Sequence, residues 1–179
     1  MYLRSTWYAL ARRDEIGEKP VALTVLGERV VAYRKADGAP VALEDACPHR
    51  KLPLSMGNRV GDTLVCGYHG LTFDGAGRCV AAPTQSKPPT TAKVKSYPLA
   101  ERWGLTWIWM GAADLADETL VPDTSWLYHP GWGTVTGNFH INTDYVAMHE
   151  NLIDQTHFPF LHPGTVGTPE YARSKLTAS

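Results

Sequence analysis

The sequence has few cysteines, no long hydrophobic run and almost no net charge, and each shortage excludes a class of protein. Three cysteines cannot supply a framework of structural disulfides. The apolar runs are far shorter than the roughly 20 residues that cross a bilayer, and the charged N-terminus lacks the apolar core of a secretion signal. A net charge of -1 gives no general attraction to nucleic acid or to an anionic membrane. We therefore expect a cytoplasmic protein that binds neither.

Hydrophobic residues make up 44% of the chain of 179 residues, which is enough for a real core and excludes a disordered chain. Short valine-rich runs between glycine and proline turns indicate a β domain in the first hundred residues. The predicted strands cover residues 21–26, 29–34, 40–43, 63–65, 71–73, 78–81, 93–97 and 105–110. The small, acidic segment 111–122 is the best candidate boundary, so we predict domains at residues 1–112 and 113–179.

Two short motifs each combine one cysteine with one histidine. The first is Cys47-Pro48-His49-Arg50, and the second is Cys66-Gly67-Tyr68-His69-Gly70. Thiolate and imidazole groups are ligands for zinc or iron. A Rieske [2Fe–2S] centre needs this combination, because two cysteines hold one iron and two histidines hold the other. The glycines of the second motif are expected to let backbone N–H groups approach the sulfur atoms.

Two other interpretations of these motifs are open. A structural zinc site can use two cysteines and two histidines, but its ligands usually come in like pairs, whereas each pair here is mixed. The second alternative is that the cysteines are core residues and the histidines are unrelated to them. Two mixed pairs would then have arisen by chance, which is improbable. We therefore favour the iron–sulfur centre. The remaining cysteine, Cys79, is interpreted as a small buried apolar residue.

A second candidate site follows in a helical region. Apolar residues recur at helical spacing from Ile141 to Leu152, with Asn142 or Thr143 as the expected N-cap. Further along, His157 and His162 flank a proline that is expected to break the helix near His157.

Two histidines that converge across a helix break can bind one ion. With a carboxylate they form the facial site of non-haem iron(II) oxygenases. Taken alone, the run is more readily a solvated helix face that carries a charge and a histidine. The electron carrier predicted upstream favours the iron site, because activation of dioxygen needs electrons delivered singly.

Together, these motifs resemble the oxygenase component of the Rieske non-haem iron aromatic-ring-hydroxylating enzymes, and within them the vanillate O-demethylase branch. The resemblance covers nearly the whole chain and rests on the two cysteine–histidine motifs and on Asn151-Leu152-Ile153-Asp154-x-x-His157-x4-His162. It implies an α+β chain, with an all-β Rieske [2Fe–2S] domain followed by the start of a helix-grip catalytic domain. It also implies an oxidoreductase that uses NAD(P)H and dioxygen to hydroxylate or O-demethylate an aromatic substrate.

The resemblance implies a role for each motif residue. The cluster ligands would be Cys47, His49, Cys66 and His69. The mononuclear Fe(II) would be bound by His157 and His162, while Asn151 and Asp154 would belong to the catalytic machinery. In the family, the aspartate hydrogen-bonds a cluster histidine of the neighbouring chain in a ring of three chains. A separate flavin and iron–sulfur reductase or a ferredoxin would deliver the electrons.

The chain departs from the family pattern in one respect. The third iron ligand of the family is a carboxylate far beyond the second histidine, whereas Glu170 is the only acid after His162 here. We therefore expect the N-terminal part of a longer protein, with an incomplete catalytic domain. A Rieske ferredoxin-type electron carrier is the alternative function, and a zinc-stabilised interaction module is a second alternative.

Overall fold

The structure is a computed structural model that describes residues 2–173, and the chain divides into two compact units between Thr134 and Val135. The strands are β1 (Trp7–Arg12), β2 (Val21–Val25), β3 (Glu28–Arg34), β4 (Pro40–Glu44), β5 (Asn58–Val60), β6 (Thr63–Val65), β7 (Thr72–Phe73), β8 (Cys79–Ala81), β9 (Leu99–Arg102) and β10 (Leu105–Trp109). Within residues 2–173 they form three antiparallel sheets, ordered β1-β10-β9, β2-β3-β4 and β5-β6-β7-β8. The predicted α+β class is confirmed, since within the same residues the strands lie in the first unit and the α-helices in the second.

The sheet β2-β3-β4, called the middle sheet below, is organised around β3. Residues 30–33 of this strand are fully buried, as expected for a central strand that is covered on both faces. It is joined to β2 by Leu26 and Gly27, which take φ angles of 52° and 77°. Positive φ at both positions is what a two-residue type I′ hairpin turn requires. The sequence predicted these two strands, with the first ending one residue late and the second beginning one residue late.

One hydrophobic cluster joins the middle sheet to the sheet of β5 to β8. Tyr33 and Leu43 from the middle sheet share this cluster with Leu64 and Phe73 from the other sheet. The Tyr33 hydroxyl also donates a 3.0 Å hydrogen bond to the carbonyl oxygen of Asp62, and burial raises the pKa of Tyr33 to about 12. This packing places the ends of β4 and β6, each followed closely by a cysteine, beside one another.

The predicted strand at residues 93–97 is wrong as a regular element. Lys93 pairs only with Arg78, and Ser96 pairs only with Leu43 of β4, as isolated bridges. Because these partners belong to different sheets, the segment crosses between sheets and cannot continue one ladder. The aromatic start of the chain is a strand, β1, which pairs with β10.

The predicted boundary between residues 112 and 113 remains a prediction. Three short 3-10 turns follow β10, at Ala113–Leu115, Glu118–Leu120 and Ser125–Tyr128. Val121 between them is 6% exposed and packs in a cluster with Trp7, Trp107 and Trp109. The chain beyond β10 therefore still contributes to the core of the first unit.

Within residues 135–173, the second unit contains three short helices, α1 (Tyr145–Ile153), α2 (Phe158–Leu161) and α3 (Pro169–Arg173). The N-cap of α1 is Asp144, whose side chain accepts a 2.9 Å hydrogen bond from Val146 N–H, so the predicted caps at residues 142 and 143 are wrong. The predicted helix break is displaced as well. It comes at Asp154, and Pro159 lies in the first turn of α2, where its missing N–H costs nothing.

Among the residues that the structure describes, the helices are too short or too polar for any of them to cross a bilayer.

An ion-pair network ties the N-terminal segment to the middle sheet. The carboxylate of Glu28 accepts hydrogen bonds from Arg4, from the Tyr97 hydroxyl at 2.8 Å and from Lys95 Nζ at 3.0 Å. Burial alone would raise the pKa of Glu28, but these three donors outweigh it and lower the pKa from 4.5 to about 2. The folded state therefore holds this group ionised over a range in which the unfolded chain binds a proton.

Replacing Glu28 should change how stability depends on pH. A depressed pKa in the folded state contributes stability above about pH 4.5, and the contribution is lost as the pH falls toward about 2. The loss of unfolding free energy in Glu28→Gln should therefore be greatest at pH 5 or above and shrink as the pH is lowered, which urea titrations at several pH values measure. Glu118→Gln, which removes an exposed carboxylate facing Arg102, is the matched control. A loss that is independent of pH would contradict this account.

Candidate metal centres

The first cysteine–histidine motif folds into a closed loop after β4. Lys51 N–H donates to the carbonyl oxygen of Cys47 at 2.8 Å, and Cys47 N–H donates to the carbonyl oxygen of Leu52 at 2.8 Å. Lys51 takes a φ of 58°, in the left-handed region that non-glycine residues seldom adopt. The chain turns back on itself here, so that the residues between Cys47 and Lys51 project from the end of the sheet.

The second motif repeats the same loop after β6. Gly70 N–H donates to the carbonyl oxygen of Cys66 at 3.0 Å, and Cys66 N–H donates to that of Leu71 at 2.8 Å. Gly70 has a φ of 71°, and a Cβ at this position would lie 2.8 Å from Cγ of Pro83. The two motifs are therefore equivalent loops, each closed by a residue in the left-handed conformation. The first loop follows β4, and the second follows β6.

The two cysteines lie at the inner ends of these loops. Cys47 is 2% exposed and Cys66 is 3% exposed, and both belong to the core cluster between the two sheets. Burial raises the pKa of the Cys47 thiol, and the neighbouring Cys66 raises it further, whereas backbone N–H groups of His49 and Arg50 act in the opposite direction. Amides that point at sulfur favour the thiolate, which is the form that binds metal. The donors that the sequence predicted in the second motif stay a prediction.

The two histidines lie at the outer ends of the loops and are exposed. Nδ1 of His49 is 3.1 Å from Nδ1 of His69. Two nitrogens bound to one metal at about 2.1 Å are separated by about 3.0 to 3.4 Å for bond angles between about 90° and 109°. The ring nitrogens are therefore spaced as two ligands of one ion. Tyr68 stacks on His69 with ring centroids 3.9 Å apart.

The cysteine pair and the histidine pair do not form one four-ligand site. Within residues 2–173, no group of three or more His, Cys, Asp or Glu side chains could hold a single metal ion. A structural zinc ion would need all four ligands within about 2.0 to 2.3 Å of one point. A [2Fe–2S] cluster needs them as two pairs, one for each iron. The residues therefore fit the cluster, and they fit zinc poorly.

A cleft of about 420 Å³ opens beside the histidine pair. His49 and His69 line one side, and Pro83, Gln85 and Thr91 line the other. The proline-bearing segment at residues 83–89 thus forms part of the cleft wall next to the histidines. The side chains of His49 and His69 remain exposed to solvent beside this wall.

The second candidate site is built on α2, with His157 immediately before the helix and His162 immediately after it. The ring centroids of the two histidines are 5.4 Å apart. Nε2 of His157 is buried and has no hydrogen-bond partner within the described part of the chain. An orphaned imidazole nitrogen beside a second imidazole fits a metal ligand pair. No carboxylate joins this pair within residues 2–173.

Two further predicted site residues lie at the end of α1. Asn151 is exposed in its last turn, and Asp154 is the C-cap residue. The carboxylate of Asp154 accepts hydrogen bonds from the side chain and the N–H of Thr156, at 2.5 Å and 2.9 Å, and these bonds lower the pKa of Asp154. Asp154 is thus ionised and accessible on the surface of the second unit.

Asp45 and Ser55 belong to none of the motifs predicted from the sequence. Asp45 is 3% exposed, and its carboxylate accepts hydrogen bonds from Ser55. A charged residue two positions before the first cysteine was the available signal, but only the fold shows that its side chain is buried.

Comparison with known proteins identifies the class to which this arrangement belongs. The family described as the Rieske [2Fe-2S] domain matches residues 6–98, and the vanillate O-demethylase oxygenase C-terminal domain matches residues 141–178. The chain therefore belongs to the Rieske [2Fe–2S] domain family, as its two loops predicted. The iron–sulfur interpretation of the cysteine–histidine motifs is confirmed at the level of the domain.

The particular relatives are named as subunits of monooxygenase and O-demethylase systems. The chain is 40% identical over 176 residues to the iron-sulfur subunit TsaM1 of the toluene-4-sulfonate monooxygenase system of Comamonas testosteroni (98% of this chain, 51% of the relative). It is 38% identical over 170 residues to the vanillate O-demethylase oxygenase subunit of Pseudomonas sp. strain HR199 (95% and 48%). The crystal structure of dicamba monooxygenase bound to 3,6-dichlorosalicylic acid matches with a TM-score of 0.90 at 39% identity (96% and 51%). The chain thus spans about half the length of the relatives it matches.

The chain offers a matched pair of cysteine variants to test the cluster loops. Cys66→Ser should abolish the red-brown absorbance and the rhombic electron paramagnetic resonance signal of the reduced protein, because serine does not replace a thiolate on iron. Cys79→Ser changes a third buried cysteine, whose thiol contacts the Ala81 carbonyl oxygen at 3.4 Å, and should keep both signals. Loss of the signals in both variants would point to a general packing defect instead.

Proposed function

We propose that this protein is the oxygenase component of a multicomponent Rieske oxygenase. The observation that carries the proposal is the presence of two separate ligand sets in one chain. Two buried cysteines and two exposed histidines form the first set, and the second is a histidine pair on α2 that includes an unpartnered buried nitrogen. Two relatives, which are named as the vanillate O-demethylase oxygenase subunit and the oxygenase component of dicamba O-demethylase, support the same function.

We assign the ligands as follows. The [2Fe–2S] cluster would be held by Cys47, His49, Cys66 and His69, and the mononuclear iron by His157 and His162. When bound, the cluster supplies one-electron transfer, and the mononuclear iron supplies the activation of dioxygen. The buried cysteines exclude water from one side of the cluster site, while the exposed histidines offer the edge at which electrons enter and leave. The open cleft beside them keeps that edge accessible.

The proposed role of Asp154 is to hydrogen-bond a cluster histidine of a neighbouring chain and so to connect the two centres. Its carboxylate is exposed, and the two bonds from Thr156 fix its orientation while leaving its second oxygen available. A ring of three chains would bring each Asp154 to a neighbouring histidine pair. Asn151, one turn earlier and also exposed, would contribute to the same surface.

The substrate class and the partners follow from the same proposal. The relatives are named for toluene-4-sulfonate, vanillate and dicamba, which are all aromatic compounds. We therefore propose an aromatic substrate that is hydroxylated or O-demethylated in the cytoplasm with electrons from NAD(P)H. A separate flavin and iron–sulfur reductase or a ferredoxin would deliver these electrons to the exposed histidine edge.

Iron content distinguishes this proposal from a plain electron carrier. The intact protein, including any sequence that follows Ser179 in the gene, should bind three irons and two acid-labile sulfides per chain. A carrier would bind two irons, and the match of residues 141–178 to a catalytic domain would then have no role. A colourless protein with one zinc per chain would show that the cluster assignment is wrong.

A variant of Asp154 tests the connection between the centres. Asp154→Ala should keep the full iron content but lose product formation by at least about a hundredfold, because the hydrogen-bonded route between the centres is removed. Iron analysis and product yield per NADH oxidised measure the two effects. Asp123→Ala is the matched control, since Asp123 makes the same kind of turn bond, accepting from Ser125 N–H at 2.8 Å. Full coupled turnover in Asp154→Ala would remove the proposed role.

A further inference from the structure

We propose that Asp45 and Ser55 form a positioning pair that fixes the spacing between the two cluster loops. Neither residue is a candidate ligand, and both flank the first loop in sequence, Asp45 before Cys47 and Ser55 after Leu52. The inference rests on the proposed ligand assignment of the cluster. The inference concerns the strength with which the loops bind the cluster, and it leaves the identity of the ligands unchanged.

The main chain of Asp45 is anchored to the middle sheet. Its N–H donates to the carbonyl oxygen of Arg29 at 3.0 Å, and Nη2 of Arg29 donates to the carbonyl oxygen of Asp45 at 3.0 Å. This reciprocal contact fixes the end of β4 against the beginning of β3. The first cysteine, Cys47, follows only two residues later. The position of Asp45 therefore sets where the first loop begins.

The side chain of Asp45 reaches across the base of the loop to Ser55. One carboxylate oxygen accepts from Ser55 N–H at 2.7 Å, and the other accepts from Ser55 Oγ at 2.7 Å. Asp45 is 3% exposed, so these two bonds occur in a region of low dielectric. A buried carboxylate requires such partners, and their loss leaves a polar group unsatisfied. The pair is thus a specific attachment and not a surface contact.

Ser55 belongs to a 3-10 turn, Leu54–Met56, which abuts the second loop. A Cβ on Gly57 would lie 2.1 Å from the Val65 carbonyl oxygen, and a Cβ on Gly67 would lie 3.0 Å from the Met56 carbonyl oxygen. The turn therefore touches the backbone on both sides of Cys66. Only glycine allows this approach, because any side chain at residue 57 would collide with the backbone.

These contacts form a continuous path from one cluster cysteine to the other. It runs from Cys47 back to Asp45, across the carboxylate to Ser55, and through the turn to the residues that flank Cys66. Metal ligands must be placed to within about 0.2 Å, and hydrogen bonds around the sulfur atoms tune the reduction potential. Loosening the pair should therefore weaken the hold on the cluster and change its electronic environment.

The test compares Ser55→Ala with Asp45→Asn in the intact protein containing its cluster. Ser55→Ala removes one of the two bonds and should accelerate iron release to a ferrous chelator by about tenfold, as for other residues that support metal ligands. The midpoint potential and the g values of the reduced cluster should shift as well. Asp45→Asn keeps the shape of the contact, because the amide can donate to Ser55 Oγ, and should remain near wild type. Ser55→Thr, which keeps the hydroxyl, should restore wild-type behaviour.

Thr119→Ala is the matched control for loss of an Asp–hydroxyl contact. Thr119 donates its N–H and Oγ to Asp117 at 2.9 Å and 2.7 Å, in an exposed turn outside the cluster loops. Iron release and the cluster spectrum should not change in this variant.

Each outcome decides between distinct possibilities. If Ser55→Ala releases iron at the wild-type rate with unchanged potential and g values, the positioning pair is wrong. If Asp45→Asn shifts the potential and Ser55→Ala does not, the charge of Asp45 acts on the cluster directly, which also overturns the proposal. If the wild-type protein forms no cluster, the ligand assignment fails instead, so the two hypotheses fail in different ways.

Discussion

The structure depends on the packing of the middle sheet against the sheet of β5 to β8. Tyr33, Leu43, Leu64 and Phe73 are all fully buried in the cluster between them. Burial of this apolar surface holds together two strand ends that lie far apart in sequence. Since each strand end is followed by a cysteine-bearing loop, the same packing that stabilises the fold brings the four proposed ligands together. Core mutations near these residues would thus act on the metal site without touching it.

The two loops share one backbone design but have different surroundings at their two ends. At the inner end, Cys47 and Cys66 are buried in the core, where thiolates need amide donors and metal to be stable. At the outer end, His49 and His69 face solvent and a cleft. An iron–sulfur cluster placed between such ends has a dry side and an accessible side. This asymmetry suits a centre that must exchange electrons with other proteins while its sulfur atoms stay protected from water.

The second unit holds the second candidate ligand pair and the exposed Asp154. The histidines on either side of α2 are close enough to share an ion, and Asp154 is exposed and oriented by Thr156. Short helices with few buried residues give this unit little core of its own within residues 135–173. Its side chains are therefore positioned mainly by local turns and caps. A longer relative such as dicamba monooxygenase has about twice the chain length in which to surround such a segment.

The proposed ligands and most of the strands could be predicted from the sequence alone, because ligand spacing and valine-rich runs are local patterns. It placed residues 93–97 in a strand and the α1 cap one or two residues early, because bridges between sheets and cap geometry depend on distant or three-dimensional partners. The burial of the cysteines, the exposure of the histidines and the contact between Asp45 and Ser55 depend on the tertiary structure. Those features arise where residues from separate strands meet, and no periodicity along one chain segment encodes such a meeting.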